Sequence, residues 1–129
     1  MANATASLKN YRQSPRKVRL IADLVRGKRA EHALALLSML PKRGSDPMAK
    51  LIKSAIANAQ HMDEGSSVGD LVIAKIEVNG GIVFKRSMPR ARGRASAIRK
   101  KTSIITMTLS SIPKKAKTAK KEKAPAATK

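Results

Sequence analysis

The residues best suited to chemistry are the cations between positions 85 and 101. This segment, KRSMPRARGRASAIRKK, holds eight basic groups and no acid. Arg90, Arg92 and Arg94 are spaced by two, so an extended backbone would place all three on one side. Unpaired cations are costly to bury, and guanidinium groups bridge phosphate oxygens well. The segment therefore predicts contact with a polyanion such as nucleic acid.

Charge along the whole chain supports the same interpretation. The 129 residues have a formal net charge of +20. Residues 1–31 carry net +6, residues 32–84 are neutral, residues 85–112 carry net +8, and residues 113–129 carry net +6. A neutral middle between basic ends is typical of a packed core with attachment surfaces.

Catalytic and metal-binding patterns are missing from the sequence. His32 and His61 have no metal-ligand partner at a useful spacing, the eight acids are scattered, and there is no cysteine. The glycine-rich loops that bind nucleotide phosphates are absent too. We therefore expect no enzyme activity, no cofactor, no metal site and no small-molecule substrate. Without an apolar run of ~18 residues we also expect no membrane span.

Three helices are predicted in the first half of the chain. Ser14-Pro15 is a good start signal for a helix over Arg16–Arg26, and Gly27 is a stop signal. Its apolar face should contain Val18, Ile21, Ala22 and Val25, widened by Leu20 and Leu24, opposite a mostly basic face of Arg16, Arg19, Asp23 and Arg26.

The second predicted helix, Ala30–Leu40, has leucines around most of its circumference, so we expect it to be well buried. The third begins at Asp46-Pro47 and ends near Met62. Its apolar stripe consists of Met48, Leu51, Ile52, Ala55, Ile56, Ala59 and Met62.

The periodicity then changes to two, which favours strands. Leu71–Val78 should point Val72, Ala74, Ile76 and Val78 to one face, and Ile104–Leu109 should point Ile105, Met107 and Leu109 inward. Between them, Asn79-Gly80-Gly81 fits either a tight hairpin turn or a bulge in a longer strand, with the turn then at 89–93. The sequence alone leaves both open. Residues 2–7 are either mobile or an edge strand.

Residues 113–129 contain Lys, Ala, Thr and Pro, with no large apolar side chain. We expect a disordered basic tail, which either contacts RNA or serves only to solubilise the protein. Aromatic residues number two, Tyr11 and Phe84, which disfavours modules that recognise RNA through several stacked aromatics. The charge fits a DNA-compacting protein equally well, and release of the protein from a lysate by RNase and not by DNase would distinguish the two. Binding to an anionic membrane is a further alternative, but the apolar face of the first helix is needed for a core.

Three long segments resemble the universal large-subunit ribosomal protein L22 family, closest to its bacterial and organellar members. They are SPRKVRLIADLVRGK at 14–28, SAIANAQHM at 54–62 and KRSMPRARGRASAIRKKTSIITMTLS at 85–110. The resemblance covers residues 8–110. It implies an α+β fold, with three helices packed on a small antiparallel β-sheet and a long protruding β-hairpin at about 78–104. Residues 1–112 would form one domain, and the strand from Val78 to Arg90 would reach about 40 Å at ~3.3 Å per residue.

The resemblance also implies a function. The protein would be a structural constituent of the large ribosomal subunit in the cytoplasm, binding 23S-type rRNA and supporting subunit assembly. Its hairpin tip, Ser87, Met88, Pro89, Arg90, Ala91, Arg92 and Gly93, would line the exit tunnel beside the nascent peptide and near the macrolide site, with other ribosomal proteins as neighbours. The expected rRNA-binding residues lie on the basic face of the first helix and in the basic segment that contains the tip. They are Arg16, Lys17, Arg19, Lys85, Arg86, Arg90, Arg92, Arg94, Arg99, Lys100 and Lys101.

Overall fold

The computed structural model describes residues 3–62 and 68–111. Three helices and three strands confirm the predicted α+β class. The elements, in chain order, are β1 (Asn3–Tyr11), α1 (Pro15–Val25), α2 (Ala30–Met39), α3 (Ser45–Met62), a short 3-10 turn (Val68–Asp70), β2 (Leu71–Pro89), a second 3-10 turn (Ala91–Gly93) and β3 (Ala95–Ser111). The basic tail expected at 113–129 lies outside the described residues.

The sheet is antiparallel, with strand order β1-β3-β2. β1 is therefore an edge strand, as one of the two predictions for this segment had it. β3 lies in the centre and pairs with β2 from Leu71 opposite Ser111 to Pro89 opposite Ala95. On the free edge of β2, Ile73 exchanges hydrogen bonds of 3.0 Å with Gly27 and Lys28. Gly27 closes α1 in the left-handed region, at φ +74°, where glycine has no steric penalty.

The core lies between one face of the sheet and the helices. Ile105, Met107 and Leu109 of β3 are fully buried, which confirms the predicted alternation. α1 and α3 contact the sheet directly, while α2 packs against α3 and the start of β2. Val18 of α1 and Ile52 of α3 are fully buried, as their apolar stripes predict.

The predicted apolar faces were too wide on all three helices. Leu20 and Leu24 are 60% and 49% exposed, because at ~100° per residue they lie well outside the stripe that faces the sheet. Met62, in the last turn of α3, is 65% exposed. The prediction that α2 is well buried was also wrong. Only one of its faces is covered, and Met39 is 81% exposed.

The buried face of β2 differs from the predicted one because the strand contains a bulge. Ile73 pairs with Leu109, but Lys75 pairs with Thr108, so Ala74 is an extra residue. The alternation shifts at this point. Ile76 and Val78 are buried as predicted, whereas Ala74 is exposed, Val72 is only half-buried, and Leu71 and Ile73 point inward instead.

A second bulge decides the alternatives at Asn79-Gly80-Gly81. Gly80 pairs with Ser103 and Val83 with Lys101, so Gly81 and Ile82 lie opposite Thr102. The Thr102 hydroxyl donates a 2.7 Å hydrogen bond to the Ile82 carbonyl at this bulge. No tight turn forms here. The strand continues to Pro89, and the chain reverses at residues 90–94, within the long hairpin that the resemblance implies.

Candidate nucleic-acid interface

Beyond the second bulge the hairpin is a two-stranded projection, here called the arm, made of Ile82–Pro89 and Ala95–Lys101. Every residue of the arm is exposed except Ser96, which is half-buried. β1 does not accompany it, because β1 ends at Tyr11 opposite Ser103. Eight residues of strand span roughly 25 Å. A lone two-stranded hairpin is only marginally stable in water.

One face of the arm is cationic. Cross-strand partners share a face of a sheet, so Lys85 lies beside Arg99, and Val83 beside Lys101. Arg99 and Lys101 continue the alternation that points Ile105 toward the core. The face that is apolar within the domain thus becomes basic once it leaves the domain. This pattern suits a surface that meets phosphate.

The end of the arm, here called the tip, is a compact turn of residues 90–94. The Arg90 amide donates a 2.7 Å hydrogen bond to the Arg94 carbonyl. Arg92 and Gly93 both adopt left-handed conformations, at φ +57° and +69°. The extended backbone that would place Arg90, Arg92 and Arg94 on one side is therefore not formed here. A chain reversal requires turn geometry, and it concentrates the three charges at one end of the arm.

A second basic surface lies between the start of α1 and the base of the arm. It is an open cleft of about 910 Å³, here called the basic cleft. Seven of its lining residues are basic and none is acidic, and the exposed Leu20 contributes apolar surface. The lining consists of Arg12, Gln13, Ser14, Arg16, Lys17, Leu20, Arg43, Arg99, Lys100, Lys101 and Thr102.

Hydrogen bonds between distant segments assemble this cleft. The Ser103 hydroxyl donates to the Gln13 carbonyl at 2.6 Å, which joins β3 to the β1–α1 link. The Tyr11 hydroxyl donates to the Arg43 carbonyl at 3.3 Å, which holds the α2–α3 loop beside the link. Ser14 precedes α1 as predicted, but its side chain makes no capping bond. The amino end of α1, with its partial positive charge, opens on the cleft.

The cations of the arm and of the basic cleft have no carboxylate partner among residues 3–62 and 68–111. The ion pairs of Asp23 with Arg26 and of Lys75 with Glu77 lie elsewhere. Repulsion within such a cluster opposes its close packing, and a bound polyanion relieves it. The electrostatics of both surfaces therefore favour an RNA or DNA backbone.

Arg19 is placed differently from the other predicted contacts. Its Nε and Nη2 atoms donate to the Val78 carbonyl at 3.2 and 3.1 Å. The guanidinium thus ties α1 to β2 near the base of the arm. Its predicted contact with rRNA remains a prediction. Arg16 and Lys17, from the same helix, line the basic cleft together with the predicted Arg99, Lys100 and Lys101.

Two cleft residues, Arg12 and Arg43, were missed by the sequence reasoning. Arg12 lies within the basic first segment and two residues before the Ser14 start signal, so local charge could have indicated it. Arg43 lies in a loop and gives no such signal. Only the tertiary fold brings it to the cleft.

Neither a metal-binding cluster nor a membrane-spanning helix is found among the described residues. No group of three His, Cys, Asp or Glu side chains in residues 3–62 and 68–111 is arranged to hold a metal ion. His32 and His61 are exposed on separate helices. Among the described helices, none combines the length and the apolar character that crossing a bilayer requires.

Comparison with known proteins identifies the family of this chain. The family described as ribosomal protein L22p/L17e matches residues 6–110, which include α1, the basic cleft and the whole arm. The chain belongs to the ribosomal protein L22 family. Among its relatives is the large ribosomal subunit protein uL22 of Caldicellulosiruptor saccharolyticus, 51% identical over 82% of this chain and 86% of that protein. The uL22 of Herpetosiphon aurantiacus is 52% identical over 81% of this chain and 91% of that protein.

Membership of the L22 family identifies the assembly to which this protein belongs. The chain is a structural protein of the large ribosomal subunit, located in the ribosome in the cytoplasm, and its partners are rRNA and other ribosomal proteins. The family is one of structural proteins and not of enzymes.

Proposed function

We propose that this protein holds rRNA with the basic cleft at the base of the arm and with the arm beyond it, and that the tip of the arm lines the polypeptide exit tunnel. The observation that carries the proposal is the arm itself. It is two strands wide, exposed along both faces, and free of acidic residues from Ile82 to Lys101. A projection this thin fits between RNA segments, where a whole domain does not.

The distance between the tip and the basic cleft explains how the protein would support assembly of the subunit. The tip lies roughly 25 Å beyond the base of the arm, where Arg99, Lys100 and Lys101 reach the basic cleft. One protein that neutralises phosphates at both places stabilises the approach of rRNA segments that otherwise repel each other. The protein therefore supports assembly through binding alone and needs no catalysis.

Tunnel lining assigns a role to the tip residues. The predicted tunnel-lining residues, at the end of β2 and in the tip, would face the growing chain, and macrolides would bind close to this surface. They are Ser87, Met88, Pro89, Arg90, Ala91, Arg92 and Gly93. The nascent peptide is then a transient neighbour of the tip.

Thiol-directed crosslinking tests this position, because the chain has no cysteine of its own. An Ala91→Cys variant is labelled with a photoreactive group and incorporated into large subunits by reconstitution. On ribosomes stalled with a nascent chain, the tip should crosslink to that chain. A matched Lys53→Cys variant, on the exposed side of α3, should not crosslink to it. Equal crosslinking at both positions, or none at position 91 in subunits that contain the protein, contradicts tunnel lining.

A further inference from the structure

Phe84 is the one phenylalanine of the chain, and it lies on the arm. Phe84 is 36% exposed. Two guanidinium groups approach its ring. The Cζ atom of Arg12 lies 5.4 Å from the ring centroid, and that of Arg86 lies 5.9 Å away. Both distances are within the range of cation–π attraction. Arg12 comes from the β1–α1 link, so this cluster joins the domain to the arm.

The register places the cluster on the face opposite Lys85 and Arg99. Phe84 is paired with Lys100, and Arg86 with Ile98, so these four share a face. Ile82 and Met88 lie on the same strand at alternating positions and belong to that face too. Ile82, Met88 and Ile98 are 61%, 45% and 40% exposed. This second face combines large apolar side chains with cations.

The chemistry of that face restricts what could cover it. An apolar protein surface would bury the cations without partners, which is costly. A nucleobase offers a flat π surface to a ring or a guanidinium, and the phosphates attached to it neutralise the neighbouring cations. Unpaired RNA nucleotides therefore match both components of the face.

We propose that Phe84, flanked by Arg12 and Arg86, is a stacking site for an unpaired base of rRNA. The opposite face, with Lys85, Arg99 and Lys101, contacts phosphates. This inference rests on the proposed binding of rRNA by the arm. The small number of aromatic residues disfavours a module that stacks several bases, whereas one phenylalanine is enough to stack a single base.

Tryptophan fluorescence tests the site directly, because the chain contains no tryptophan. The Phe84→Trp variant should bind transcribed large-subunit rRNA, and its emission should be strongly quenched when a base stacks on the indole. The matched control is Val83→Trp, on the opposite face at 41% exposure, whose emission should change much less. Equal quenching of the two variants overturns the stacking site.

Affinity provides a second readout. Phe84→Ala should weaken binding of the same rRNA roughly 5- to 150-fold, which corresponds to the ~1–3 kcal/mol of one stacked base. The salt dependence should stay unchanged, because no phosphate contact is removed. Phe84→Tyr should restore the affinity. Unchanged affinity of Phe84→Ala, while the wild-type protein binds, overturns the stacking site and leaves rRNA binding intact. Failure of the wild-type protein to bind rRNA overturns both.

Discussion

At the scale of single residues, the course of the chain after Val78 depends on the fit between Gly81 and Thr102. A Cβ atom at Gly81 would lie 2.6 Å from the Thr102 hydroxyl, the group that donates to the Ile82 carbonyl. Gly80, its neighbour, has nothing within 4 Å of such an atom. The bulge therefore needs glycine at position 81 and tolerates a side chain at position 80.

We predict that Gly81→Ala lowers the free energy of unfolding by about 1 kcal/mol relative to Gly80→Ala, because the Thr102 hydroxyl is displaced from its hydrogen bond. Urea denaturation of both variants, followed by circular dichroism, measures the difference. Equal stability of the two alanine variants would show that the hydroxyl does not maintain the bulge.

The glycines illustrate a limit of sequence reasoning at this scale. Asn79-Gly80-Gly81 has the composition of a tight turn, and a bulge uses the same residues. What distinguishes the two is Thr102, which lies about twenty residues away along the chain. Local composition therefore gave two equal interpretations, and the family resemblance, which the structure follows, favoured the bulge.

At the scale of elements, periodicity predicted the helices well because each buries one apolar side against the rest of the domain. α1 and α3 begin and end within one residue of their predicted limits. The width of their apolar faces was not predictable in the same way. Leu20 lies on the side of α1 that lines the basic cleft, where no packed element covers it. The extra residue Ala74 was also missed, because a bulge is defined by the partner strand.

The contact between α1 and β2 depends on Arg19, and a substitution there tests it. Its two hydrogen bonds to the Val78 carbonyl hold α1 against β2. Arg19→Lys keeps the charge but loses the planar fork, so we expect a loss of about 1 kcal/mol in the free energy of unfolding. The matched control is Arg16→Lys, one turn earlier on α1 and exposed, which should leave the stability unchanged. Thermal unfolding of both proteins in the same buffer makes the comparison, and equal midpoints would contradict the role of Arg19.

At the scale of the whole molecule, charge is separated from packing. The neutral middle of the sequence builds most of the helical core, while the basic segments form the arm and much of the cleft. Net charge predicted a polyanionic partner, and the fold is consistent with it. The basic cleft could not be predicted, because its lining comes from the β1–α1 link, α1, the α2–α3 loop and β3. Only the folded chain brings Arg12, Arg43 and Arg99 together.

The salt dependence of rRNA binding tests most directly whether the arm neutralises phosphates. Each phosphate contact contributes roughly −0.7 to −0.9 to the slope of log affinity against log salt concentration. The double variant Arg90→Ala with Arg92→Ala should bind transcribed large-subunit rRNA more weakly, with a slope shallower by roughly 1.4–1.8. The matched control, Lys50→Ala with Lys53→Ala, removes equal charge from the exposed side of α3 and should keep the wild-type slope. A tip variant with the wild-type slope would contradict phosphate binding by the arm.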